Sequence, residues 1–255
     1  MNNNVCILGM GYVGLTLAAA MSEKGFNVFG VEIDDEKLKK IRKGQSHFLE
    51  VGLDITLERG IKNRSLTFSK KIPVDIEIGT YIVTVGTPLD VEGNPRMDMI
   101  ENVSREISKN LQPGCLIILR STVKVGTTRK IVKPILDAER KEYYLAFCPE
   151  RTIEGKAMEE LNYLPQIIGG MDDESIEKAE GVFGRITSTI HRLSSLESAE
   201  LIKLLDNSFR DVFFSFGNEV ALICEALGLS SHEVINAANM GYSRTNIANP
   251  GFVGG

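Results

Sequence analysis

The sequence predicts an α/β chain, a doubly wound parallel sheet followed by an all-helical region. Three observations carry that expectation. The apolar run Val5–Leu8 passes into Gly9-Met10-Gly11-Tyr12-Val13-Gly14 and then into a helix-favouring stretch, Leu15 to Met21. Strand-like and helix-like segments alternate from there at the spacing of βαβ units. From Ser195 the alternation stops, and Leu196–Leu227 holds no proline and no strand signal.

The first element is the most informative. Gly9–Gly14 fits G-x-G-x-x-G between a strand and a helix, where each glycine has its own physical role. Gly9 makes the tight turn, Gly11 allows the approach of a pyrophosphate, and Gly14 allows the packing of helix on strand. The helix start adds unpaired N–H groups and positive dipole. A second strand, Asn27–Ile33, carries Glu32, 18 residues after Gly14. A carboxylate there accepts both ribose hydroxyls and repels a 2′-phosphate, so NAD is expected rather than NADP. The bland alternative is a glycine-rich bend that binds nothing. With NAD, the fold is Rossmann-type.

Asp35–Lys43 reads as a charged amphipathic helix, Gly44–Gly52 as loop and Asp54–Arg59 as a short helix. Leu66–Ser69 is a short strand and Ile78–Val85 a stronger one, running into Gly86-Thr87-Pro88. The turn-rich loop Leu89–Arg96 precedes helix Asp98–Asn110 and strand Cys115–Leu119. Gly126-Thr127-Thr128 opens a helix to about Arg140, and Tyr143–Phe147 is a strand stopped by Pro149-Glu150. A loop or short helix covers Arg151–Leu164, then come strand Gln166–Ile168, helix Asp172–Phe183 and strand Ser188–Leu193. Leu196–Leu227 has apolar residues at helical spacing, and about 30 residues at 1.5 Å each span about 45 Å. A helix of that length connects domains or pairs with a copy of itself. Ser230–Met240 is a last helix, with Ser230 as N-cap. The expected domains are therefore residues 1–194, binding the cofactor, and 195–255, central, helical and dimerising.

An apolar fraction of 43% and a charged fraction of 25% are ordinary for a soluble protein. The net charge of −5 argues against nucleic acid or an anionic membrane as partner. Met1-Asn2-Asn3-Asn4 lacks a basic leader segment and no apolar run reaches membrane-spanning length, so the expected location is cytoplasmic. The four cysteines, Cys6, Cys115, Cys148 and Cys224, form no C-x-x-C pair, and neither a metal site nor a redox dithiol is expected. Cys6, Cys115 and Cys224 read as buried small hydrophobes; Cys148 lies at a strand end.

Polar clusters fall at five strand ends: Gly9–Gly14, Glu32, Gly86–Pro88, Arg120–Val123 and Cys148–Glu150. In doubly wound sheets ligands lie beyond those ends. On the long helix Glu200, Lys203 and Asn207 are three and four apart and share a face. A lysine and an amide there suit a developing alkoxide and a water; a solvated face with an i,i+3 ion pair fits the same spacing, and spacing alone favours it. Thr122, Glu150 and Glu154 lie at strand ends or in the loop after them. A glutamate there serves as general base if burial raises its pKa, but singly each also reads as a turn or capping residue.

The motifs GMGYVG (9–14), VEID (31–34), VGTP (85–88), STV with GTT (121–128), CPER with a later Glu-Gly (148–155), AELIKLLDN (199–207) and NPGFVGG (249–255) occur together in this order. The chain thereby resembles, over its whole length, the N-terminal part of the UDP-sugar 6-dehydrogenases, and by Arg151, Phe209–Val212 and Arg244–Ile247 the UDP-N-acetylmannosamine branch. The resemblance implies NAD-dependent four-electron oxidation of a C6 alcohol to a carboxylate, in two hydride transfers with a cysteine-bound thioester between them. It also implies an oxidoreductase of polysaccharide biosynthesis, and the length of the helix at 196–227 points to a homodimer. UDP-glucose or UDP-N-acetylglucosamine is the alternative substrate, and a non-catalytic NAD-binding, dimerising module the alternative role. A 3-hydroxyacid dehydrogenase, which also carries a lysine and an asparagine four apart, is a third.

By resemblance Lys203 and Asn207 stabilise an oxyanion and position water, and Glu150 assists thioester hydrolysis. Gly9, Gly11, Tyr12, Val13, Gly14, Glu32, Thr87, Pro88, Ser121, Thr122 and Glu154 lie at the cofactor, while Arg151 and Arg244 face the sugar or its phosphates. The family's nucleophilic cysteine follows the glycine pair matching Gly254-Gly255, so it is expected just past Gly255, together with a UDP-binding domain. The chain is expected to be an N-terminal fragment, binding NAD but inactive alone.

Overall fold

A computed structural model of the chain describes residues 2–252. Two compact units emerge from its internal contacts, the first reaching to Leu201 and the second beginning at Ile202.

The first unit is built on one sheet. Its strands, in chain order, are β1 (Asn4–Leu8), β2 (Asn27–Val31), β3 (Leu66–Ser69), β4 (Thr80–Val83), β5 (Cys115–Leu119), β6 (Tyr143–Phe147), β7 (Gln166–Gly170) and β8 (Ile190–Leu193). In space the order is β3-β2-β1-β4-β5-β6-β7-β8. From β3 to β6 all neighbours are parallel, so the carboxyl ends of β1, β2, β4, β5 and β6 share one edge. The strand order turns back on itself at β1, which lies between β2 and β4, and in doubly wound sheets ligands bind beyond the strand ends at such a reversal. One correction applies to the all-parallel expectation. β7 runs antiparallel to β6, the segment from Pro149 to Pro165 with its one four-residue helix returning the chain at the same edge of the sheet; β8 is parallel to β7.

Helices cover both faces, which is why the central strands are continuous apolar runs instead of alternating ones. Val5–Leu8 and Cys115–Leu119 are buried throughout. α1 (Tyr12–Glu23) buries Leu15, Leu17, Met21 and three alanines in the same core. α2 (Asp35–Ile41) is capped by Asp34, whose carboxylate accepts from the N–H groups of Glu36 and Lys37. α3 (Leu53–Lys62) and α4 (Asp98–Asn110) follow. The helix expected from Gly126 to about Arg140 is instead a π-helical turn, Thr128–Val132, continued by α5 (Lys133–Asp137), with Pro134 in the first turn of α5. α6 (Ala157–Glu160) and α7 (Asp173–Phe183) complete the unit, α7 capped by Asp172.

α8 (Leu196–Ala226) is one continuous 31-residue helix that begins in the first unit. In the second unit α9 (Ser231–Asn239) is capped by Ser230, as expected. Asn239 brackets Ile247, its side chain both donating to the carbonyl and accepting from the N–H, and Asn218 does the same to Gly251. These two amides hold the non-helical segment after α9. Among the described residues no helix is long and apolar enough to cross a membrane.

Candidate functional site

At the end of β1 the backbone is shaped by two close approaches. Gly9 has φ +97°, and a Cβ on Gly14 would lie 1.9 Å from the Gly9 carbonyl oxygen and 2.6 Å from Thr84 Oγ1. Thr84, at the end of β4, donates its hydroxyl toward the carbonyls of Leu8 and Gly9 and fixes the turn from below. Gly11 is different. A Cβ there would meet nothing within 4 Å, and as N-cap of α1 it is capped by no side chain. Space, uncapped helix N–H groups and positive dipole coincide at Gly11, which suits a diphosphate.

Glu32, just past β2, is buried, with one carboxylate oxygen accepting from Met10 N–H at 3.1 Å and the other from Asp34 N–H at 2.9 Å. Each oxygen keeps lone-pair capacity for a ribose hydroxyl. The carboxylate is thus aimed by the glycine turn itself. The strand-end residues at β4 and β5 interlock: Thr87 Oγ1 donates to the Thr122 carbonyl at 2.6 Å, and Ser121 Oγ to that of Val85 at 2.7 Å. Pro88 is exposed beside them. The residues of four expected cofactor contacts, at β1, β2, β4 and β5, therefore lie along one edge.

At β6 the structure buries the strand-end cysteine and corrects one expectation. Cys148 is fully buried, and burial pushes its thiol up to about 12, with the Arg120 charge pulling the other way. Glu150 is not a base made stronger by burial. Burial raises its carboxyl, but the Arg120 guanidinium and the N–H of Thr152 outweigh that and hold it below the usual carboxylate range. Arg120 reaches one Glu150 oxygen through Nε at 3.1 Å and Nη2 at 2.6 Å. Its remaining Nη1 donates to the Cys148 carbonyl and to Gln166, and its guanidinium lies 5.2 Å from the Phe183 ring centre. The pair is an ionised, buried tie.

The other Glu150 oxygen accepts from Arg151 and Thr152 N–H, both at 2.7 Å. The next amide, Ile153 N–H, donates to Glu160 at 2.6 Å, and Gly155 and Met158 N–H donate to Glu50 at 2.9 and 3.1 Å. Three buried glutamates thus hold the backbone of one loop, while Arg151 and Glu154 remain exposed on it. Glu50 also accepts the Tyr12 hydroxyl at 2.6 Å. The expected cofactor residues Tyr12 and Glu154 are brought close by that bond, since Gly155 N–H also donates to the Tyr12 oxygen at 3.0 Å.

Glu200, Lys203 and Asn207 all lie on α8, but only Glu200 belongs to the first unit. Glu200 is buried in the first unit, accepting from Gly126 N–H, Thr128 N–H and Thr128 Oγ1 at 2.5, 2.8 and 2.6 Å, which caps the π-helical turn. Lys203 and Asn207 belong to the second unit, one turn apart on α8. So does Arg244, exposed and 4.9 Å from the Tyr242 ring centre. Gly254 and Gly255, and with them the site expected after the glycine pair, lie outside the described residues.

Comparison with known proteins decides what this edge belongs to. The profile of the UDP-glucose/GDP-mannose dehydrogenase family, NAD binding domain, matches residues 3–187, and that of the same family's central domain matches residues 197–255. The chain belongs to this family. It carries the family's NAD-binding domain, and its relatives are named dehydrogenases. A UDP-N-acetyl-D-mannosamine dehydrogenase of Campylobacter jejuni is 34% identical over 99% of this chain and 64% of its own length. One from Methanococcus aeolicus is 35% identical over 98% of this chain and 57% of its own. The solved UDP-D-ManNAc dehydrogenase of Pyrococcus horikoshii superposes with a TM-score of 0.91 at 30% identity, over 97% of this chain and 60% of that one. The chain thus spans about 60% of the length of the relatives it matches. A 3-hydroxyisobutyrate dehydrogenase of Mycobacterium tuberculosis, at 19% identity and a TM-score of 0.68, shares the fold alone.

Sequence reasoning did not single out Glu50 and Glu160 as holders of this loop, and it placed Arg120 in a strand-end cluster without its partner. Glu50 and Glu160 sit in stretches with no motif that marks them, and only the folded loop shows that both hold its amides. Arg120 carried a signal: an arginine ending a wholly apolar strand is buried and needs a buried carboxylate.

Proposed function

We propose that the protein is an NAD-dependent UDP-sugar 6-dehydrogenase acting on a UDP-N-acetylhexosamine, most plainly UDP-N-acetylmannosamine, in the cytoplasm. The observation that carries this is the uncapped, unobstructed Gly11 turn beside a buried Glu32 in a chain 34% identical over 99% of its length to a UDP-N-acetyl-D-mannosamine dehydrogenase.

Bound there, NAD supplies the hydride acceptor. Gly9, Gly11 and Gly14 with the α1 N-terminus, including Tyr12 and Val13, receive its diphosphate, and Glu32 its ribose. Thr87, Pro88, Ser121 and Thr122 line the approach, with Glu154 at its rim. Lys203 and Asn207 carry the oxyanion and water roles that the resemblance implies, and Arg151 and Arg244 face the sugar or its phosphates. Glu150, ionised and held by Arg120, is assigned to presenting Arg151 instead of moving a proton. α8 is proposed to pair with its copy in a second chain, since Leu205, Phe209, Val212 and Phe216 are exposed along it.

Calorimetric titration with NAD⁺ and NADP⁺ tests the cofactor reading, with binding of NAD⁺ and much weaker binding of NADP⁺ expected. Absence of NAD⁺ binding rejects it. NADH fluorescence that grows with small 3-hydroxyacids and not with UDP-sugars would move the assignment to that other class. A monomeric mass in light scattering would reject the pairing of α8.

A further inference from the structure

Glu50 belongs to no motif and to none of the roles above, yet the residue is only 6% exposed and its carboxylate joins two parts of the site. One oxygen takes the Tyr12 hydroxyl at 2.6 Å and Gly155 N–H at 2.9 Å; the other takes Met158 N–H at 3.1 Å. Tyr12 is the first residue of α1, directly after Gly11, and its ring packs 4.9 Å from that of Phe48, two residues before Glu50. Gly155 and Met158 end the loop that displays Arg151 and Glu154. Of the three glutamates that hold this loop, Glu50 is the one bonded to the glycine-turn helix. The other two, Glu150 and Glu160, hold Arg151, Thr152 and Ile153 from the β6 and α6 ends.

We infer that Glu50, through Tyr12, is a positioning residue that latches the Arg151–Glu154 loop to the glycine turn, so that a dinucleotide diphosphate on the turn orders the loop. This rests on the reading that Gly9–Gly14 binds NAD. A diphosphate bonded to the first N–H groups of α1 stiffens the turn bearing Tyr12. The phenol then holds a fixed position, and the carboxylate shared between phenol and loop amides passes that restraint on. The chain length between the groups is irrelevant to such coupling: Tyr12 and Gly155 are 143 residues apart and in hydrogen-bond contact. Linkage makes the effect reciprocal, so a loosened latch weakens the dinucleotide by the same factor by which the dinucleotide steadies the loop.

The test is hydrogen exchange resolved to residues 151–158, with and without NAD⁺, in the 255-residue chain, Glu50→Gln and Tyr12→Phe, with NAD⁺ affinity measured on each. The expected result is slower exchange at Gly155 and Met158 when NAD⁺ is added to the unmodified chain. Both variants lose that difference and bind NAD⁺ about tenfold more weakly, within the usual range of coupling between sites. A purely structural Glu50 would lower the melting temperature of Glu50→Gln and leave NAD⁺-linked protection and affinity as they were, which overturns the inference. Should Glu50→Gln fail to fold, Tyr12→Phe, which removes one hydroxyl and leaves Glu50 its two N–H donors, makes the same comparison. NAD⁺ binding without loop protection in the unmodified chain defeats the latch alone; no NAD⁺ binding at all defeats the cofactor reading with it.

Discussion

The loops after β1 and β6 leave the same edge of one sheet and treat their backbone amides in opposite ways. After β1, glycines bring the chain close to Thr84 and leave the start of α1 without a side-chain cap. After β6, Glu150, Glu160 and Glu50 between them accept five N–H groups of residues 151–158. The first loop keeps donors available to an anion from outside. The second supplies its own anions and so holds its own backbone, with Arg151 and Glu154 exposed on it. Receptiveness and rigidity here are the same chemistry, an N–H group facing a negative oxygen, and differ in who provides the oxygen.

The contrast breaks hardest at Arg120. Replacing it by Met leaves Glu150 as a buried, unpaired carboxylate, and removing one partner of such a pair costs about 3–5 kcal/mol. Urea melts should show that loss. The same pair sets an acid limit. Because the folded Glu150 titrates below its ordinary value of 4.5, its contribution is complete above about pH 4.5 and disappears as pH falls through the lowered folded value. Stability measured from pH 6 to pH 3, a range of about three units around that value, should fall less steeply in Arg120→Met than in the unmodified chain.

The receptive loop is sharpened by two alanines. Gly14→Ala puts a methyl 1.9 Å from the Gly9 oxygen, and such overpacking costs about 3 kcal/mol. Gly11→Ala meets no protein atom, so stability should stay within about 1 kcal/mol, the scale of an N-cap change. NAD⁺ affinity should nevertheless drop by about tenfold, or 1.4 kcal/mol. Equal effects of the two on melting would show that Gly11 is not kept for a ligand. The most local effect belongs to Gly155→Ala. No atom crowds it, but φ +87° costs an L-residue about 1–2 kcal/mol, and the change should appear as faster exchange at Gly155 and Met158.

These expectations also mark what the chain discloses before folding. β1, β5 and β6 read directly as apolar runs ended by glycine, proline or charge, and the cap Ser230 is local chemistry. The π-helical turn at Thr128–Val132 was not legible, because Glu200, 72 residues later, supplies the cap that shapes its entry. The antiparallel β7 was hidden for a related reason: strand direction depends on where the connection can pass, and a short helix of four residues carries no directional signal. At the site, Gly9–Gly14 and Glu32 were readable because a ligand's demands fall on consecutive residues. The anchors Glu50 and Glu160 were not, since a carboxylate that satisfies distant amides looks in sequence like any surface glutamate.

Cys6, Cys115, Cys148 and Cys224 are all buried, with the thiols of the first three pushed up by burial. Thiolates, not thiols, react with disulfide reagents, so the folded chain is nearly silent toward them. Each of the four becomes a clock that starts only when its surroundings open. A single cysteine introduced at exposed Glu154 would then be the one fast-labelling position, and a dye placed there would watch the loop without competition from the native sulfurs.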